Sequence, residues 1–261
     1  MRAFLRKIKS RFSPNVEAPQ QVTGGEPLPN AVSERRLPTK SSALKRLIEM
    51  DVPVETILDV GVLTCTGELM SNYRSKFHLL MEPIKEWNDS INRNYSSVNA
   101  SYEILNVAVS DRDGEISMDV ATVRDTQKIT HARMADDTKT GNRIVPMSKL
   151  DTIVGERDLQ KPFLLKIDID GAELQVLAGA ETTLKDCNVV IIEVGITNML
   201  ERIQAVQKAG FQIFDIVDIC YYNGRFVQAD VMFISHKVIT EKNLAVYKDG
   251  FDISKWEPYQ P

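Results

Sequence analysis

The densest chemistry in this chain lies between Leu164 and Ala180, where an apolar run meets Lys166, Asp168 and Asp170, then Gly171 and Glu173. A carboxylate at the end of a buried strand can take a proton from a substrate hydroxyl or hold a divalent ion. Asp168 is therefore the first candidate for a reacting group. Asp170 and Glu173 also fit a plainer role, as cap and first-turn acid facing the open amides of a helix start, and Glu173 is read that way. Side chains alternate along a strand, so Lys166 shares a face with Asp168. It can pair with that carboxylate or with Glu193. Two further positions have the spacing of a nucleotide site. Asp59-Val60-Gly61 ends an earlier apolar run, and Glu82 ends the next, 23 residues after Asp59. A glycine there lets backbone approach a ligand, and an acid about 20 residues on can accept both ribose hydroxyls of a nucleoside. Read without a ligand, Asp59 caps a turn and Glu82 is a solvated strand end. His131, alone in a polar stretch, is another base candidate. His78, His236, Trp87 and Tyr95 are read as structural.

Elements must bring these groups together. Apolar runs at 55–60, 77–81, 102–110, 163–169 and 188–194 read as strands. Helical patterns lie between them: 42–50, from 66 or 67, from 83 towards 94, from 172, and through 200 and 206. Strands that are apolar throughout and alternate with helices form a parallel sheet covered on both faces. Asp113-Gly114 signals a hairpin joining 102–110 to 115–120, and 211–217 pairs with 229–234 about Tyr222-Asn223-Gly224. Residues 124–142 read as an irregular polar insertion, which makes His131 a loop residue. Ligands of such sheets bind beyond the carboxyl ends of the strands. That is where Gly61, Glu82, Asp168 and Glu193 all stand.

The 261 residues, 43% hydrophobic, are enough for one large α/β domain, placed at 39–261. Residues 13–38, rich in proline and glycine, read as a flexible linker. Residues 1–12 combine Arg2, Arg6, Lys7, Lys9 and Arg11 with Phe4, Leu5, Ile8 and Phe12 at helical spacing. That segment is a basic amphipathic candidate for peripheral contact with the inner face of a membrane, the alternative being a disordered basic tail. A net charge of -4 argues against nucleic acid as the partner. Cys65, Cys187 and Cys220 are too scattered for a zinc site, and neither a membrane span nor a signal peptide is legible. The expected location is the cytoplasm.

Taken in order, Asp59-Val-Gly61, Glu82-Pro83, Ala108 to Gly114, Lys149-Leu-Asp151, Lys166 to Ala180 and Ile192-Glu193-Val194 resemble the FkbM family of S-adenosylmethionine (SAM)-dependent methyltransferases. The resemblance runs from about 57 to 194 and is most specific at 166–180. It implies a Rossmann-like class I methyltransferase sheet of seven strands with an antiparallel last strand. It also implies O-methylation of a small-molecule or glycan acceptor, such as a sugar or natural-product hydroxyl. Carried over residue by residue, Asp59 and Gly61 line the methionine end of SAM and Glu82 holds the ribose. Asn106, Val107 and Ala108 frame the adenine, and Asp168 faces the transferring methyl. Asp168, Glu193 and His131 are the candidate bases. If a divalent cation such as Mg²⁺ takes part, Asp168, Asp170 and Glu193 are its candidate ligands. Leu63 and Cys65 stand where the family's first motif carries Asn and a second Gly, so Cys65 is expected to press on the methionine end. Two other classes compete: a methyltransferase-like module that binds without catalysis, and a dinucleotide-dependent oxidoreductase, which the missing G-x-G-x-x-G disfavours.

Overall fold

The computed structural model describes residues 37–121, 131–134 and 143–256. The basic segment 1–12 and nearly all of the 13–38 linker lie outside the described residues, as does the side chain of His131. The elements run α1 (Lys40–Glu49), β1 (Thr56–Val60), α2 (Gly67–Asn72), β2 (Phe77–Met81), α3 (Asn88–Ser97), β3 (Ser101–Leu105), β4 (Ala108–Ser110), β5 (Gly114–Ala121) and β6 (His131–Met134). They continue with β7 (Arg143–Lys149), α4 (Leu150–Gly155), β8 (Phe163–Ile167), α5 (Glu173–Ala178), β9 (Cys187–Gly195), α6 (Met199–Lys208), β10 (Phe211–Tyr222), β11 (Arg225–Ser235) and α7 (His236–Glu241).

Seven strands form one sheet in the order β10-β11-β9-β8-β1-β2-β3. β1 runs parallel to both β2 and β8, and β11 runs antiparallel to β9 and β10. The chain winds outward from β1 through β2 to β3 and then restarts on the other side at β8. β1 and β8 therefore flank the switch point, where such sheets hold their ligands. Both strands are buried along their whole length. Alternate residues feed two cores: Leu58, Val60, Leu165 and Ile167 pack with Val176 of α5 and Ile153 of α4. Ile57, Leu164, Val189 and Ile191 pack with Leu44 and Leu47 of α1, Leu69 of α2 and Val238 of α7. Helices thus cover both faces, which is why these strands carry no polar stripe. Thr39 starts α1 by accepting the Ser42 amide at 3.2 Å. Asn223 and Gly224, with φ of 47° and 71°, make the tight turn between β10 and β11. Among the described residues no helix is long and apolar enough to cross a membrane.

Three expectations need correction. The 102–110 run is two strands, because Asn106 turns its side chain to Asn88 and to the Glu82 carbonyl and breaks the ladder after Leu105. β4 then leaves for a second sheet of order β4-β7-β5-β6. β4 and β5 do not form a hairpin either, since β7 lies between them, fixed where Asp113 Oδ1 accepts the Lys149 amide at 2.9 Å. Lastly, the 124–142 insertion contains strand β6, with His131 opposite Ala121. His131 is therefore a strand residue, and no apolar alternation signals so short a strand.

Candidate active site

Register puts a row of charged side chains at the ends of the central strands. Asp59, Lys166, Asp168, Glu193 and Asp230 follow the alternation of Ile57, Leu164, Ile191 and Met232, so all belong to the α1 face. Asp59 and Lys166 are direct partners across β1 and β8, and Glu193 and Asp230 are partners across β9 and β11. Three oxygens surround the buried Lys166 ammonium: Asp168 Oδ2 and the Gly61 carbonyl at 3.1 Å and Asp59 Oδ1 at 3.3 Å. Burial alone would lower the Lys166 pKa, but the two carboxylates outweigh it and hold the amine charged. Burial likewise raises Asp168, yet the Lys166 ammonium prevails and keeps this carboxyl below its ordinary value. Glu193 behaves oppositely. Burial, then the carboxylates of Asp168, Asp230, Glu173 and Asp170, push it up to about 7. Its Oε1 accepts from Gln228 Nε2 at 2.7 Å.

A cavity of about 340 Å³ opens above these strand ends. At one end Glu82, 5% exposed, receives the Leu63 amide on Oε2 and the Ile84 amide on Oε1, both at 2.9 Å. A carboxylate oxygen has two lone pairs, so each still has one to offer a hydroxyl. Trp87, Val107, Ala108 and Met118 form an apolar slot beside it. Trp87 thus belongs to the cavity wall rather than to packing alone, whereas Tyr95 is fully buried as expected. At the other end stand Asp168, Asp170, Glu193 and Lys40. Gly61 sits between, with φ +87° and no room for a side chain: a Cβ there would meet the Asp168 carbonyl oxygen at 2.0 Å. A diol-accepting carboxylate, an apolar slot and a bare glycine are what a nucleoside with a short polar tail requires, so the residues fit SAM.

Gly61, Glu82, Val107, Ala108, Asp168 and Glu193 therefore meet at one cavity, as the strand-end argument expects. Asp59 and Asn106 lie one layer back. Asp59 is fully buried and reaches the site only through Lys166, and Asn106 spends its amide on Asn88 and the Glu82 carbonyl. The proposed metal set does not assemble: among the described residues no three acidic, histidine or cysteine groups are gathered for a metal. Asp168 already faces Lys166, and Glu193 faces Gln228. Lys166 pairs with Asp168 and Asp59, leaving Glu193 without it. Cys65 is exposed at the cavity wall, and Leu63 holds φ +55°, a left-handed position that Asn adopts more easily.

Two features escaped the sequence reading. Lys40, at the start of α1, is buried in the cavity wall, where its Nζ meets Asp230 at 2.8 Å. Glu173 is the expected first-turn acid of α5, but it is fully buried and paired with Arg202 of α6, which the sequence did not indicate. A second cavity of about 490 Å³ adjoins the first and shares Ile169, Asp170 and Glu193 with it. Asp119, Asn198 and Gln228 give it a polar wall.

Residues 26–217 match the family described as methyltransferase FkbM domain. The hexuronic acid methyltransferase AglP of Haloferax volcanii is 24% identical over 163 residues, which are 61% of this chain and 64% of the relative. The match therefore spans less than two thirds of that relative's length. Among solved structures, an rRNA methylase from Streptococcus thermophilus aligns with TM-score 0.44 and 10% identity, over 75% of this chain and 93% of its own. A precorrin-6y C5,15-methyltransferase from Geobacter metallireducens aligns with TM-score 0.42 and 5% identity, over 78% and 91%. The family match takes in every residue named above from the wall of the first cavity, and the chain belongs to the FkbM family of methyltransferases.

Proposed function

We propose that this chain transfers a methyl group from SAM to a hydroxyl oxygen of a sugar, glycan or natural-product acceptor. One observation carries the reading: two carboxyl groups of opposite character line the first cavity, Asp168 within it and Glu193 on the wall it shares with the second. When bound, SAM supplies a methyl carbon already activated by its sulfonium. The chain's own work is to hold that cofactor, to align the acceptor and to receive a proton. Glu82 accepts the ribose hydroxyls, the slot at Trp87, Val107 and Ala108 takes the base, and Gly61 lets the backbone come close. Alignment of this kind supplies roughly 7–11 kcal/mol of a barrier.

The second cavity is the acceptor's side of the reaction. Its carboxylates and amides suit a ligand rich in hydroxyl donors. Asp168, held ionised by Lys166, orients the acceptor hydroxyl by accepting its hydrogen bond. Glu193 takes the proton, because a base works best with a pKa near the working pH, and its own lies at about 7. The order of candidate bases thus becomes Glu193 before Asp168. A divalent ion at Asp168 and Asp170 remains the competing arrangement, separated by its sensitivity to EDTA. The acceptor named for the Haloferax relative is consistent with a sugar, as are the carboxylates and amides of the cavity walls.

The test is transfer of labelled methyl from SAM to a panel of sugars and glycans, with the product's linkage read by NMR. Methyl on oxygen supports the proposal. Methyl on nitrogen or carbon, or no SAM consumption with any acceptor while SAM binds, contradicts O-transfer.

A further inference from the structure

SAM, on the reading just given, brings a carboxylate into a cavity whose wall already carries Glu68, Glu82, Asp168, Asp170 and Glu193. A cation beside it would offset that added negative charge. Among the described wall residues the cations are Lys40 and Lys166. Lys166 has no N–H to spare, with Asp59, Asp168 and the Gly61 carbonyl standing around its ammonium at 3.1–3.3 Å. Lys40 is less fully engaged. Its Nζ is 2.8 Å from Asp230 Oδ2, while Asp218 Oδ2 lies at 3.6 Å, beyond a good hydrogen bond. Its position is fixed from the backbone: Thr39 caps the helix, the Lys40 amide donates to Asp218 Oδ1 at 3.1 Å, and the Asp218 amide donates to the Pro38 carbonyl at 2.9 Å. α1 therefore delivers a held ammonium, with donor capacity left, to the end of the cavity away from Glu82.

We infer that Lys40 binds the cofactor's carboxylate. This inference rests on the SAM reading but is separate from it, since the same cavity could hold SAM with its carboxylate on backbone amides alone. The role is one of recognition. Lys40 selects cofactors that retain the amino-acid carboxylate and takes no part in methyl transfer.

The experiment uses the full chain and two ligands, SAM and decarboxylated SAM, which keeps the sulfonium and the amine but lacks the carboxylate. Calorimetry on the wild type is expected to give at least about a tenfold preference for SAM, the size of a lost charged hydrogen bond. Lys40→Met alone would strand Asp230 without its partner, so the informative variant is Lys40→Met with Asp230→Asn. It should bind decarboxylated SAM within about threefold of wild type and show no preference for SAM. Lys40→Arg should keep most of the preference, and thermal melting checks that each variant folds. A double variant that still prefers SAM by tenfold overturns the inference and leaves the SAM reading standing. Equal weakening of both ligands also overturns it, assigning Lys40 to the scaffold. A wild type that binds neither ligand sinks the SAM reading itself.

Discussion

Gly61 and the Asp168 carbonyl are in such close approach that a single added methyl on Gly61 would lie 2.0 Å from that oxygen. The contact ties the end of β1 to the residue that follows β8, and it comes with a left-handed φ of +87°. Gly61→Ala must therefore strain its backbone and part β1 from β8. Strained positions cost about 1–3 kcal/mol, and a domain of this size loses about 2–4 °C per kcal/mol. Thermal denaturation should show a fall of at least about 4 °C, with SAM binding lost. An unchanged melt would mean that the two strand ends are not in this contact.

Leu63 gives a prediction of opposite sign. It holds φ +55° while its amide serves Glu82. Left-handed backbone costs an ordinary side chain about 1–2 kcal/mol, and Asn tolerates it better. Leu63 is 45% exposed, so little packing is lost on substitution. Leu63→Asn should stabilise the chain by about 0.5–1 kcal/mol in denaturant unfolding, with SAM affinity kept or improved. Destabilisation would show that Leu63 does packing work outweighing its strain.

These two residues also mark what the sequence makes legible. Strand ends, glycines and acids are read directly, because short apolar runs that alternate with helical patterns mark buried strands and the acids and glycines that follow them mark their ends. Gly61, Glu82, Asp168 and Glu193 follow from that logic. Lys40 does not, because nothing in the local pattern of α1 says that its first residue faces a cavity whose nearer wall, at β8 and β9, lies more than 100 positions away. Nor does the Glu173–Arg202 pair, in which a first-turn acid is buried by a helix packed from elsewhere. The second sheet was invisible for a third reason: β7 enters between β4 and β5 from a later part of the chain, and turn residues at Asp113-Gly114 cannot report an inserted strand.

Glu193 sets the pH dependence. Its folded pKa, raised to about 7, lies above the ordinary value of 4.5 that it has unfolded. Between those two values the folded state keeps the proton longer, so Glu193 lowers stability progressively as pH rises from about 4.5 to about 7. Catalysis moves the other way, because the base must be ionised, and turnover should climb through pH 7 and level off above it. Glu193→Gln should remove that limb and cut turnover by about 10²–10⁴-fold with SAM affinity nearly unchanged. A variant with wild-type turnover would return the base role to Asp168.

Asp168→Asn separates orientation from metal binding. It keeps shape but loses the charge that faces Lys166 at 3.1 Å. Turnover should fall by at least about tenfold, since a hydrogen bond to a charged group is lost, while EDTA leaves the wild type untouched. Loss of wild-type activity in EDTA and its recovery with Mg²⁺ or Mn²⁺ would instead place an ion at Asp168 and Asp170.

The central claim, that the cavity at the ends of β1, β2 and β8 holds SAM by its ribose, is tested most directly by calorimetric titration. Wild type and Glu82→Ala would each be titrated with SAM and with NAD, and their folding compared by circular dichroism. The wild type should bind SAM and not NAD, and Glu82→Ala should raise the SAM dissociation constant at least about tenfold, the fold-change that loss of a charged hydrogen bond brings. Equal SAM affinity in the two proteins, or binding of NAD in preference to SAM, would contradict the account.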